Sequence, residues 1–182
     1  MILGDQLRFR AIEKEDLPKF VIWLNDPEIK YGLSMVVPLS LAEEENWFEN
    51  LLKRSSYERP MAIEIQPDPQ VDEWIFVGNC GLIQIDWQNR SSEVGIFIGE
   101  KGYWNQGFGT NAMRLIIKHG FENLNLHRIW LRVFETNQQA MRSYEKAGFT
   151  QEGIFRQAQY LDGKYVDVII MSMLKSEWQE QQ

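Results

Sequence analysis

Three side chains and one backbone turn in this chain are of types that carry chemistry. Gly107-Phe108-Gly109-Thr110 follows an apolar run (Val94, Ile96, Phe97, Ile98) and a polar, aromatic connector from Gly99 to Gln106. After the glycines, Met113, Ile116, Ile117, Gly120, Phe121 and Leu124 recur at spacings of three and four, which predicts a helix with one apolar face. The pattern reads strand, loop, helix, with two glycines at the helix start. Glycines there let a ligand approach the backbone, and the unpaired N–H groups of a first helical turn favour an anion, above all a phosphate. The side chains are Glu93, just before the apolar run, and Asn137 and Tyr144 further on. A phenol is a proton donor at neutral pH, and a carboxylate both holds a cation and accepts its proton.

Three kinds of phosphate reader compete for the glycine pattern. A P-loop is excluded, because no Gly-Lys-Ser/Thr follows. The dinucleotide fingerprint is closer, since Gly107, Gly109 and Ala112 satisfy G-x-G-x-x-G/A and Glu135 follows a later strand. In that motif, however, the first glycine ends the strand directly, whereas here the whole connector intervenes. A coenzyme A pyrophosphate loop tolerates such a connector.

The elements around these residues are legible from pattern. Leu7 to Ile12 alternates as a half-buried strand does, and Leu17, Phe20, Val21 and Leu24 mark a helix that the Asn25-Asp26-Pro27 turn should stop. Ser40 and Glu43 form a capping box ahead of Trp47, Phe48, Leu51 and Leu52. Pro60 to Ile65 and Trp74 to Ile85 read as a hairpin, with Gly78 and Gly81 marking a bulge or a close backbone approach. His127 to Phe134 is a strand, and Asn137 and Gly148 bracket a short helix as N-cap and C′ glycine. Phe149 to Ala158 and Lys164 to Leu174 flank Asp162-Gly163, a hairpin turn.

The chain has 182 residues, 44% of them hydrophobic, which suits one compact domain over residues 1–182. Its net charge of −7 argues against nucleic acid and suits a cationic, amine-bearing partner, although acidity also simply confers solubility. No apolar run reaches the roughly 20 residues of a membrane span, and charge appears too early for a signal peptide, so no membrane role and a cytoplasmic location are expected. A single cysteine, Cys80, and two histidines, His119 and His127, leave no metal site to expect. Cys80 reads as a small core residue and His127 as a packing or capping residue.

Two motifs together carry a resemblance. Trp104-Asn105-Gln106-Gly107-Phe108-Gly109 fits the loop Q/R-x-x-G-x-G/A except at its first position, and Asn137-x-x-Ala140-x-x-x-Tyr144-x-x-x-Gly148-Phe149 follows in the matching order. The chain in this respect resembles the GNAT superfamily of acetyl-CoA-dependent N-acetyltransferases, and most nearly its ribosomal-protein-alanine and spermidine/diamine groups. The resemblance implies an α/β (α+β) fold, a mixed, mostly antiparallel sheet of about seven strands with helices on both faces. It implies acetyl-CoA as co-substrate, held by Trp104, Asn105, Gln106, Gly107, Phe108, Gly109 and Thr110, by the backbone of Ile96, Phe97 and Ile98, and by Asn137, Ala140 and Tyr144.

Tyr144 is then the general acid for the departing sulfur, Asn137 a contact to the reacting groups, and Glu93 the first candidate for general base, ahead of Glu28 and Glu135. Each has a plain counterpart: a packed aromatic, an N-cap, a surface carboxylate. Glu28, Tyr31 and Met35 fall where relatives line the acceptor side. The acceptor is a primary amine, either a protein N-terminal α-amine or a small molecule; the alternatives are a polyamine acetyltransferase and a non-catalytic acyl-CoA sensor. Edge strands near the C-terminus are compatible with a homodimer.

Overall fold

The computed structural model describes residues 1–30, 32–33 and 37–181. One eight-stranded sheet runs through them in the order β1-β2-β3-β4-β5-β6-β8-β7. The strands are β1 (Ile2–Leu3), β2 (Leu7–Ala11), β3 (Met61–Ile65), β4 (Ile75–Asp86), β5 (Ser91–Ile98), β6 (Arg128–Phe134), β7 (Thr150–Leu161) and β8 (Lys164–Leu174). The helices are α1 (Leu17–Asn25), α2 (Pro27–Lys30), α3 (Leu41–Leu52), α4 (Phe108–Lys118), α5 (Gln138–Ala147) and α6 (Lys175–Glu180). The sheet thus has one strand more than expected, the two-residue β1, which is too short to leave a pattern. Pro27 does end α1, but it also opens α2, as proline does at a first helical position.

Alternation along the strands sends helices to both faces. On one face Val94 of β5 and Leu131 and Val133 of β6 pack with Met113, Ile116 and Ile117 of α4. On the other, Phe97 joins Phe20 and Trp23 of α1 and Leu51 of α3. The caps explain the helix ends: Ser40 and Glu43 exchange backbone-to-side-chain bonds at 3.2 and 2.8 Å, and Gly148 closes α5 at φ +102°. α4 runs into a single π-turn, His119–Asn123, which keeps Phe121 buried beyond the regular helix.

Every neighbouring pair of strands is antiparallel except β5 and β6, which run parallel. Their pairing is brief: Ser91, Ser92 and Glu93 match Arg128, Ile129 and Trp130, and the register ends there although both strands continue. The other edge of β5 stays paired to β4 as far as Gly78↔Ile98. Gly78 makes this closeness possible, since a Cβ there would sit 2.1 Å from the Phe97 carbonyl oxygen. One edge of β5, from Val94 to Ile98, therefore faces a gap in the sheet.

Candidate active site

The gap is bounded on the α4 side by the glycine turn. Gly107 is the N-cap of α4 at φ +88°, a left-handed conformation that glycine adopts without penalty, and its Cβ position is open space. The first bond of α4 runs from Asn111 N–H to the Gly107 carbonyl at 3.0 Å. The N–H groups of Phe108, Gly109 and Thr110 precede that bond and have no intrahelical acceptor, which is the arrangement that receives a phosphate. Thr110 Oγ1 and Ser143 Oγ lie 2.8 Å apart, fixing α4 to α5. Gln106 caps the loop by donating to the Gly102 carbonyl at 2.7 Å.

Trp104, the departure from the loop motif, has an internal partner. Its indole Nε1–H donates to the Ile98 carbonyl at 2.8 Å, so the loop folds back on the end of β5. Its ring joins the aromatic cluster beneath α1. The side chain therefore shapes the turn from behind, and Asn105, at φ +60°, makes the bend that follows.

Asn137 and Tyr144 sit on α5 beside the gap. Asn137 Oδ1 accepts from Ala140 N–H at 3.1 Å, the N-cap expected, while its Nδ2 lies near Gly32, 3.1 Å from where a Cβ would stand. The same residue thus lies against the segment after α2, where the resemblance expects the acceptor. Tyr144 and Ala140 pack on the α4-side core, with the Tyr144 ring 6.2 Å from Phe149. Burial pushes the Tyr144 phenol up to about 12, so the group keeps its proton throughout the neutral range.

Glu93 lies inside β5 as its third residue, where the sequence pattern put it just before the strand. It shares the face of Phe97, opposite Val94, Ile96 and Ile98. Its side chain is 7% exposed, and both oxygens accept from Arg132 of β6, at 2.8 Å from Nε and 3.1 Å from Nη2. Sequence reading missed Arg132. The available signal was its place between Leu131 and Val133, which alternation turns to the Glu93 face. Just past β6, the Thr136 hydroxyl is buried without a hydrogen-bond partner among the described residues.

The remaining candidates are scattered. Glu28 is exposed and pairs with Lys101 at 3.2 Å, and Lys101 also binds Asp26 at 2.7 Å. Glu135 accepts from Asp167 N–H at 3.0 Å and so serves β8. His127 is exposed, and its backbone links Arg90 to Lys175. Cys80 is buried, and burial pushes its thiol up, away from nucleophilic chemistry. Tyr31 and Met35 lie outside the described residues. Among the described residues no group of three His, Cys, Asp or Glu is placed to hold a metal, and no helix is long and apolar enough to cross a membrane.

Comparison with known proteins names the class that this fold and gap define. Residues 6–150 match the acetyltransferase (GNAT) domain, so the chain belongs to the GNAT acetyltransferase family. Over 176 residues, 97% of each chain, it is 30% identical to the spermidine N(1)-acetyltransferase of Vibrio cholerae. It is 28% identical, over 96% of each chain, to an uncharacterized N-acetyltransferase, p20, of Bacillus licheniformis. The crystal structure of the Vibrio cholerae enzyme in complex with CoA and spermine superposes with a TM-score of 0.85 at 28% identity, covering 97% of this chain and 99% of that one. The protein is an N-acetyltransferase, and its acetyl donor is acetyl-CoA.

Proposed function

We propose that this enzyme acetylates a primary amine of a small di- or polyamine, with a protein N-terminal amine as the second reading. The observation that carries the proposal is the gap beyond Glu93, open between β5 and β6 with an anion-receptive turn on one face and a buried carboxylate on the other. Full-length similarity to a spermidine acetyltransferase, and to a structure holding spermine, supports the polyamine over the peptide. The net charge of −7 agrees with a cationic acceptor.

In this reading the pyrophosphate of acetyl-CoA rests on the N–H groups of Phe108, Gly109 and Thr110, and the pantetheine arm runs along the free edge of Ile96, Phe97 and Ile98. Those strand amides also polarise the thioester carbonyl. The amine enters from the α1 face, where Glu93 holds its ammonium and takes a proton. The free amine attacks the thioester carbon, forming C–N, and collapse breaks C–S. Tyr144 gives its proton to the departing sulfur, the N–H proton lost from the cationic nitrogen of the tetrahedral intermediate restores the phenol, and Glu93 passes its proton to solvent. Asn137 orients the reacting groups from the end of α5.

The exposed edge strand β7, with Ile154 and Phe155 open to solvent, supports a homo-oligomer. The location that agrees with an acetyl-CoA-dependent amine acetyltransferase is the cytoplasm. The test of the acceptor is thiol release from acetyl-CoA with spermidine, spermine, short diamines, aminosugars and peptides beginning with Ala, Ser or Met. Turnover of the polyamines at the lowest KM supports the reading. Turnover of peptides alone replaces it with the second, and silence across the panel removes both.

A further inference from the structure

We infer that Arg132 is a resident stand-in for the acceptor's ammonium, and so a specificity-determining residue: it occupies Glu93 until a cationic amine displaces it. The inference rests on the acceptor reading above and deepens it.

The pair sits at the apex of the gap. Glu93 pairs in register with Trp130, the last match between the two strands, and Arg132 is the next residue of β6 on that face. Its guanidinium spans the opening just where backbone pairing stops, and it reaches both Glu93 oxygens. The two partners differ in what they can do. Glu93 is 7% exposed and fixed in the strand, whereas Arg132 is 52% exposed, with its ring neighbour Trp130 at 6.0 Å. An exposed arginine can leave for water at small cost, because half-solvated ion pairs contribute little. A buried carboxylate left alone is costly, because nothing then offsets its lost hydration. The exchange is therefore favourable only when another cation arrives as the arginine leaves.

Two other buried carboxylates of this face, Asp16 and Glu64, support the distinction. Asp16 and Glu64 are both bound by Arg10, with Arg8 on Glu64 as well, and those arginines are only 22% and 24% exposed. They are locked into a network, while Arg132 serves Glu93 by itself. An ammonium on a flexible aliphatic chain presents the same unit charge as the guanidinium it replaces, with three N–H donors in place of the planar fork. The site thus selects acceptors that can compensate Glu93: a protonated amine does, and a neutral or anionic molecule does not.

The experiment compares wild type, Arg132→Gln, Arg132→Lys and Glu93→Gln in steady-state acetylation and in thermal melts with and without the amine. The acceptor is spermidine, or the panel amine that the wild type acetylates best. Arg132→Gln is expected to lower the KM for the amine about fivefold, the upper worth of one competing half-solvated ion pair, with a smaller change in kcat than in KM. Arg132→Lys should fall between, and the amine should raise the melting temperature more in Arg132→Gln than in the wild type. Combined with Glu93→Gln, the arginine substitution should add nothing. An unchanged or raised KM in Arg132→Gln overturns the inference and leaves the acceptor reading standing. If Arg132→Gln has no melting transition even with amine, Arg132→Lys decides by the same KM criterion. A wild type inactive on every amine overturns the reading and this inference together.

Discussion

The two faces of the sheet are built from different materials. The α4/α5 face is chiefly aliphatic, with Ile63, Ile65, Val94, Met113, Ile116 and Ile117 beside the separate rings of Phe9, Phe108, Phe121 and Phe149. The α1/α3 face is aromatic, with Phe20 within 6.1 Å of Trp23, Trp47, Phe76 and Phe97. All four buried carboxylates among the described residues, Asp16, Glu44, Glu64 and Glu93, are on elements or strand positions of this second face. On the proposed reading, the donor side needs only a rigid floor, because the groups assigned to grip acetyl-CoA are mostly backbone. The acceptor side holds charge and ring faces, the groups that recognise an ammonium. The proposed mechanism accordingly assigns selectivity for the acceptor to the α1/α3 face.

That contrast can be broken in several places, beginning with the group expected to matter most. Tyr144→Phe should lower kcat by about 10²–10⁴-fold, the usual loss of a general acid, with the melting temperature and the KM for acetyl-CoA little changed. Unchanged turnover would take Tyr144 out of the mechanism. Next are paired core truncations. Phe20→Ala and Ile116→Ala should each destabilise by about 2–5 kcal/mol in chemical denaturation. Only Phe20→Ala should also raise the amine KM, measured where both remain folded; equal effects on KM would erase the division between the faces. Gly107→Ala forces a side chain into the left-handed region at about 1–2 kcal/mol. It should weaken acetyl-CoA by about tenfold and leave the amine KM alone.

The smallest effect concerns pH. Burial pushes Glu44 of α3 up to about 7, and no hydrogen bond to its carboxylate is made among the described residues. Its folded pKa lies above the unfolded value near 4.5, so the folded state binds the extra proton. Stability is greatest below the unfolded pKa and declines as pH rises through about 7. Glu44→Gln should accordingly raise the melting temperature at pH 8 by several degrees, on the scale of about 2–4 °C per kcal/mol. At pH 4.5 the gain should shrink toward zero. An equal gain at both pH values would show that charge at Glu44 is not the cause.

What the sequence disclosed, and what it hid, follows the range of the interactions. The glycine turn, the Ser40 and Asn137 caps and the Asp162-Gly163 hairpin are local, and each needs only the few residues around it. The Glu93–Arg132 pair was hidden because it joins residues 39 apart through the parallel register of β5 and β6. The end of that register was equally invisible, since both strands keep their apolar alternation past it. α6 has no apolar stripe of its own; Trp178 fastens it by packing on Phe121 at 5.6 Å. The Trp104 indole contact was unreadable for another reason: the motif anticipates a polar side chain there, and only the fold gives the indole a carbonyl to bind.

That tryptophan has a thermodynamic consequence. With its ring in the aromatic cluster and its N–H on the strand end, the loop is already held in shape before acetyl-CoA arrives, so little ordering entropy remains to be lost on binding. Calorimetry should then find donor association with a smaller entropic penalty in the wild type than in Trp104→Gln, even though Gln is the side chain the family motif would supply.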